Sequence, residues 1–250
     1  MSSISNGLDH VVQPQEANGD PDLVELPLWF EVPTGFFALP LTDPAEAVHQ
    51  AQDVLLELAT AEQQAVIPAV LGALGELLED LAARQSVYCG LGHHVSGVDG
   101  AEVSSTLVVS VQRTGGTGDP RMLLGEMVRR RGEQDWQGQA DLLDLLGRPV
   151  LFSESVRELP EPVLPGAAGG DPDATAAVFS LEALVPSPDG SLLACVDFAT
   201  PFVGNGPEFR MMMVSIAASL SFEPPEQSDR PDQGGQGASV PTSSIRAALG

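Results

Sequence analysis

Between residues 87 and 111 the apolar pattern alternates, and that period leaves little choice of secondary structure. Val87, Cys89, Leu91, His93 and Val95 share one face of a strand. Val103, Ser105, Leu107, Val109 and Val111 share a face on the way back, after a turn at Ser96-Gly97-Val98-Asp99-Gly100. Two alternating runs joined by a Gly-rich turn predict an antiparallel hairpin. Just upstream the period is helical: Val48, Ala51, Leu55 and Leu58, then Ile67, Leu71, Leu74, Leu78 and Leu81. A chain that makes this switch buries both patterns by laying helices on a sheet.

The rest of the chain extends the same plan. Residues 29–41 hold one of two tryptophans and three of nine phenylalanines. Pro33-Thr34-Gly35 can turn the chain there, giving a first strand–turn. Thr42-Asp43-Pro44-Ala45-Glu46 reads as a helix start, with Asp43 as N-cap, Pro44 first in the helix and Glu46 reaching back. Pro68 predicts a kink or break near residues 60–68, and Asp80 and Arg84 are spaced for an ion pair one turn apart. Asp119-Pro120 opens another helix, with Leu123, Leu124, Met127 and Val128 inward and Arg129-Arg130-Arg131-Gly132 at its end. Residues 142–146 are too few for periodicity to choose between helix and strand.

Residues 150–159 read as a strand, 160–172 as a Pro/Gly-rich loop, and 176–185 with 191–200 as a second hairpin. The last helix starts at Pro207 and turns Phe209, Met212, Met213, Ile216 and Leu220 inward. Polar, Pro/Gly-rich composition predicts disordered tails at 1–26 and 223–250, around one domain at 27–222. The expected fold class is α+β, with a mainly antiparallel sheet of five to seven strands and helices packed on it.

Composition excludes more chemistry than it suggests. Eleven basic side chains, all arginine, stand against 35 acidic ones, for a net charge of −24. With no lysine, Schiff-base catalysis, a Walker A phosphate loop and a Ser-x-x-Lys nucleophile are ruled out. The charge argues against nucleic acid and against docking on anionic lipid through a basic face, and suits a protein partner. The first ten residues lack a charged n-region and an apolar h-region, and no run is long enough to span a bilayer. Those features predict a cytoplasmic protein with no membrane insertion. Cys89 and Cys195, the only cysteines, are expected as reduced thiols.

Few residues look like a site. Cys89 and His93 lie about 13 Å apart along a strand at about 3.3 Å per residue, too far to share a zinc ion. His94 points to the opposite face. Asp171-Pro172-Asp173-Ala174-Thr175 matches a phosphotransferase pattern, but a glycine-rich loop precedes it where a buried strand is needed. Gly90-Leu91-Gly92 lacks the third glycine of a dinucleotide loop. A dispersed Ser–His–acid set could use His49, His93 or His94. Arg129, Arg130 and Arg131 form the one basic cluster, either stabilising a helix C-terminus or contacting an acidic partner. No metal or cofactor is expected.

Phe30-Glu31-Val32-Pro33-Thr34-Gly35-Phe36 near the start, and Phe209 with Ala217-Ala218-Ser219-Leu220-Ser221-Phe222 near the end, carry one further signal. With the element order between them, residues 28–222 resemble the PsbP-like α/β sandwich family, including actinobacterial proteins of the LpqN type. The chain departs from that type in lacking a lipoprotein cysteine and an export signal, and in a longer helical segment at 43–84. The resemblance implies a non-catalytic accessory or assembly factor acting through another protein, with an actinobacterial secretion system as a setting. A small hydrolase and a small-ligand carrier are the alternatives, and homo-oligomer formation stays open.

Overall fold

The computed structural model describes residues 10–12, 27–134, 136–160 and 174–224. The first half holds β1 (His10–Val12), β2 (Phe30–Val32), β3 (Phe36–Ala38), α1 (Pro44–Leu58), α2 (Ala61–Ala83), β4 (Ser86–Val95) and β5 (Glu102–Arg113). Then come α3 (Pro120–Glu133), β6 (Gly138–Leu145), β7 (Arg148–Pro160), β8 (Thr175–Pro186), β9 (Leu192–Thr200) and α4 (Arg210–Ser219), the last entered through a 3-10 turn at Gly206–Phe209. β3 to β9 form one antiparallel sheet in the order β3-β4-β5-β9-β8-β7-β6. The fold is therefore α+β, helices on an antiparallel sheet of seven strands. No helix among the described residues is long and apolar enough to cross a membrane.

Alternation gives the sheet two different faces. Val109 of β5, Ala183 and Val185 of β8, and Val196 and Phe198 of β9 bury one face under Met213, Ile216 and Ala217 of α4 and Phe30 of β2. On the other, Leu151, Leu184, Leu193 and Cys195 pack under Leu124 of α3. The two ends of the domain meet on the α4 side. Trp29 and Ser221 exchange backbone hydrogen bonds of 2.9 and 2.8 Å, and Glu31 N–H donates to Ser219 Oγ at 3.0 Å. Glycine opens space on β4: a Cβ on Gly92 would lie 2.2 Å from Ser105 Oγ, and one on Gly90 2.4 Å from the Tyr88 hydroxyl. Gly90 and Gly92 make room for neighbouring side chains and not for phosphate.

Several local expectations change. Asp43 sits at φ 52° and caps nothing with its side chain, while Glu46 accepts from Gln50 instead of reaching back. The break expected near residues 60–68 is present at 59–60, but Pro68 does not make it and is carried inside α2. The Gln64 side chain donates to the carbonyls of Leu56 and Ala59, closing the end of α1 at that break. Residues 142–146 resolve as strand through Leu145, because Leu146 and Gly147, both at positive φ, form the two-residue turn into β7. Within the tail expected to be disordered, His10–Val12 pairs with β2. Pro160, expected in the loop at 160–172, ends β7 instead, and Glu223, expected in the tail, bonds through its N–H to Ser221 Oγ at 3.1 Å. Residues 161–172 of that loop, and tail residues 1–9, 13–26 and 225–250, lie outside the described residues.

Asp119 does what Asp43 does not. Its carboxylate accepts from Arg121 N–H at 2.8 Å, holding the first turn of α3. Asp119→Ala is expected to cost about 1 kcal/mol by chemical denaturation.

Candidate functional site

The α3 face is apolar beneath the start of that helix and polar beyond its end. Register explains the change. Ser153, Glu182, Asp197 and Val108 form one row across β7, β8, β9 and β5. Glu182 and Asp197 are thus directly opposed, and like charges in that position destabilise a sheet. Arg131, in the last turn of α3, answers them. Its guanidinium pairs with Glu182, donates to Ser153 Oγ and lies 5.2 Å from the centroid of the Trp136 ring. The Arg131 and Glu182 side chains are only 20% and 21% exposed, so solvent screens the pair weakly.

Cys195 stands two residues before Asp197 on the same face. Its Sγ donates to Asp197 at 3.2 Å and approaches Glu182 at 3.8 Å. Burial first, then the Asp197 and Glu182 charges, push its thiol far above the usual range. The group stays S–H, which excludes it as a thiolate nucleophile. Asp197 opens to solvent on one side but is ringed by protein, and this desolvation raises its carboxyl above the ordinary value. The Cys195 hydrogen bond opposes the shift, Glu182 adds to it, and Arg157 and Arg131 oppose it again.

Asp197 is also where two cavities meet. One of about 250 Å3 lies between Arg131, Trp136, Arg157 and Glu182. The other, of about 490 Å3, runs toward the end of α2 past Arg84, Gln85 and Ser110. The groove can hold a small polar ligand between two carboxylates and two guanidiniums. Glu182, Cys195 and Asp197 could also offer three atoms, all within 4.8 Å of one another, to a cation. The sulfur–oxygen distances of 3.2 and 3.8 Å bracket the separation of about 3.5 Å between tetrahedral zinc ligands. Arg131 already supplies positive charge at Glu182, so the cluster is stabilised by the chain itself.

The arginine cluster divides along the helix. Arg129 pairs with Glu126 and Glu133, and Arg130 with Glu126, all on the exposed side of α3. Only Arg131 enters the groove. The sequence held a signal for this, since Arg131 lies seven residues after Leu124 and so on the same side of the helix. Glu182 and Asp197 were missed as a pair, although each is a lone carboxylate inside an apolar strand run, Phe-Ser-Leu-Glu-Ala-Leu-Val and Ala-Cys-Val-Asp-Phe-Ala.

The histidines separate as their positions demand. His93 is exposed on the face of Cys89, and His49 is exposed on α1. His94 turns to the α4 side, between Phe36 and Phe209 with ring centroids at 4.8 and 5.1 Å, and its Nε2 lies 3.1 Å from Ser105 Oγ. Burial, with a smaller contribution from His93, lowers its proton affinity. Among the described residues no carboxylate bonds to His94, so a histidine–serine pair is present without an acid. Asp171 and Asp173 lie outside the described residues, and Thr175 starts β8 with its hydroxyl 3.1 Å from Glu158 Oε2. No protein-family model matches the chain, and no curated protein matches it.

Proposed function

We propose that this chain is a non-catalytic, cytoplasmic protein-binding or assembly factor built as a PsbP-like sandwich, with an actinobacterial secretion system as the first setting to test. One observation carries the reading. On the α3 face of β3 and β4, Phe37 stands opposite Leu91, and they are 69% and 43% exposed. Val95, on the same face of β4, is 69% exposed. Large apolar side chains grouped on a sheet edge mark a surface for another macromolecule. The groups that could do chemistry support the same reading: the Cys195 thiol is held protonated, and Arg131 is committed to Glu182.

The test is affinity capture from the native cell, with bound proteins identified by mass spectrometry. Phe37→Ser with Leu91→Thr, which removes the apolar surface without opposing like charges, is expected to fold normally and lose a partner that wild type retains. Arg129→Ala with Arg130→Ala asks the same of the exposed arginines of α3. A second reading, a small hydrolase, rests on the His94–Ser105 pair. Turnover of any ester or amide that disappears in Ser105→Ala would establish it and end the non-catalytic reading.

A further inference from the structure

β6 is the last strand of the sheet, and among the described residues no strand pairs with its outer edge. Such an edge offers a row of unpaired backbone groups to another chain unless something guards it. Among the described residues three of the usual guards, lysine, proline and a bulge, are absent; the charges on the strand are Asp144, paired with Arg121, and Asp141. β6 runs eight residues, Gly-Gln-Ala-Asp-Leu-Leu-Asp-Leu, with neither lysine nor proline. Its register with β7 is continuous from Gly138–Ser155 to Leu145–Arg148, so no bulge turns the edge away. The opposite edge strand, β3, has only three residues.

A groove of about 390 Å3 lies beside β6 on the α4 face. Leu143, Phe152, Leu181 and Met213 give it an apolar lining, with Asp141 on the β6 side. Gln139, Asp141 and Leu143 share that side of β6, so a strand added at the edge would place every second side chain over the groove. Charge then selects what can enter. Glu154, on the neighbouring strand, is bound by Arg210 at 2.6 Å, whereas Asp141 has no ion-pair partner among the described residues.

We propose that β6 takes up an extended segment of a basic partner protein as an eighth strand, with apolar side chains over the groove and an arginine or lysine at Asp141. A second copy fits poorly. The two-fold register centred on Asp141 sets the Asp141 side chains of the two copies directly opposite one another, where like charges destabilise the pairing, and a net charge of −24 on each copy opposes self-association as well. The inference rests on the reading of the chain as a protein-binding factor, and adds the place, the binding mode and the charge of the partner.

The probe is a fluorescein-labelled seven-residue peptide, tested against the full chain, in which threonine alternates with valine, arginine and valine, so that the groove side carries an arginine for Asp141 between two valines. Its control has glutamate in place of that arginine. The arginine peptide is expected to bind about tenfold or more tighter than the control, and about tenfold weaker to Asp141→Arg. Hydrogen exchange should show new protection across residues 138–145. Leu143→Lys, which sets a charge at the groove, should abolish binding without unfolding the sheet. Equal binding of both peptides, or protection elsewhere, overturns the proposal. So does a dimer that Leu143→Lys disperses, since a second copy would then own the edge. A native partner lost in the Phe37/Leu91 variant, with no peptide bound at β6, would remove this inference and leave the protein-binding reading standing.

Discussion

Phe198→Ala is expected to remove about 3–5 kcal/mol of stability, the range for deleting a large aromatic side chain from a packed core. Phe198 is 1% exposed, and its ring centroid lies 4.7 Å from that of Phe209. It sits on β9, where the two halves of the sheet join, with β5 on one side and β8 on the other. A cavity there would border strands from both halves and leave Phe209, at the entry to α4, without its neighbour. For a chain of this size each kcal/mol moves the melting temperature by about 2–4 °C. Calorimetry should therefore find a drop of about 6–20 °C. Phe37→Ala supplies the contrast, because that ring is largely exposed and its loss should leave melting almost unchanged. A similar drop in both variants would mean that Phe37 is covered in solution, which would remove the surface on which the proposed function rests.

What could be read in advance follows the same line between core and surface. The hairpin of β4 and β5 and the stripe of α4 were legible because each repeats one period over many residues, and burial enforces it. The inward set on the last helix was legible too: Met213, Ile216 and Leu220 are buried. Caps and turns were less so. Asp43-Pro44 and Asp119-Pro120 are the same two letters, yet only Asp119 caps. The difference lies in backbone angles fixed by where the preceding segment must go. β6 stayed ambiguous because its turn uses Leu146 at positive φ, a conformation that sequence assigns to glycine or asparagine.

The groove was the least legible part, for a physical reason. Its carboxylates lie fifteen residues apart in sequence and meet only through the β8–β9 register, while its cation comes from a helix in another part of the chain. Composition announced the acidic excess but could not say which two acids would be forced together. The arginine cluster was visible at once. That a single member of it would turn inward depended on the packing of Leu124, which sets the rotation of α3 on the sheet.

Arg131→Met tests that arrangement directly. Methionine can replace much of the apolar stem against Trp136, but it leaves Glu182 opposed to Asp197 with no cation bonded to either. Breaking a largely buried ion pair from one side costs about 3–5 kcal/mol, and the exposure of this pair lowers the expectation to about 2–4 kcal/mol. The double variant Arg131→Met, Glu182→Gln should recover most of the loss, because it removes the stranded charge with its partner. The pH dependence has a definite sign. The Asp197 carboxyl is raised above its ordinary value, so the folded state keeps that proton to higher pH than the unfolded chain does. Its contribution is fully present below the unfolded carboxylate range and is lost as pH rises through the folded value. Arg131 is one of the groups holding Asp197 down, so its removal extends that window upward. The penalty of Arg131→Met should accordingly grow from pH 4 to pH 7 in urea titrations, and adding Asp197→Asn should flatten it. A penalty independent of pH would place the role of Arg131 in packing against Trp136, and the opposed carboxylates would then have to be neutralised by something other than this guanidinium.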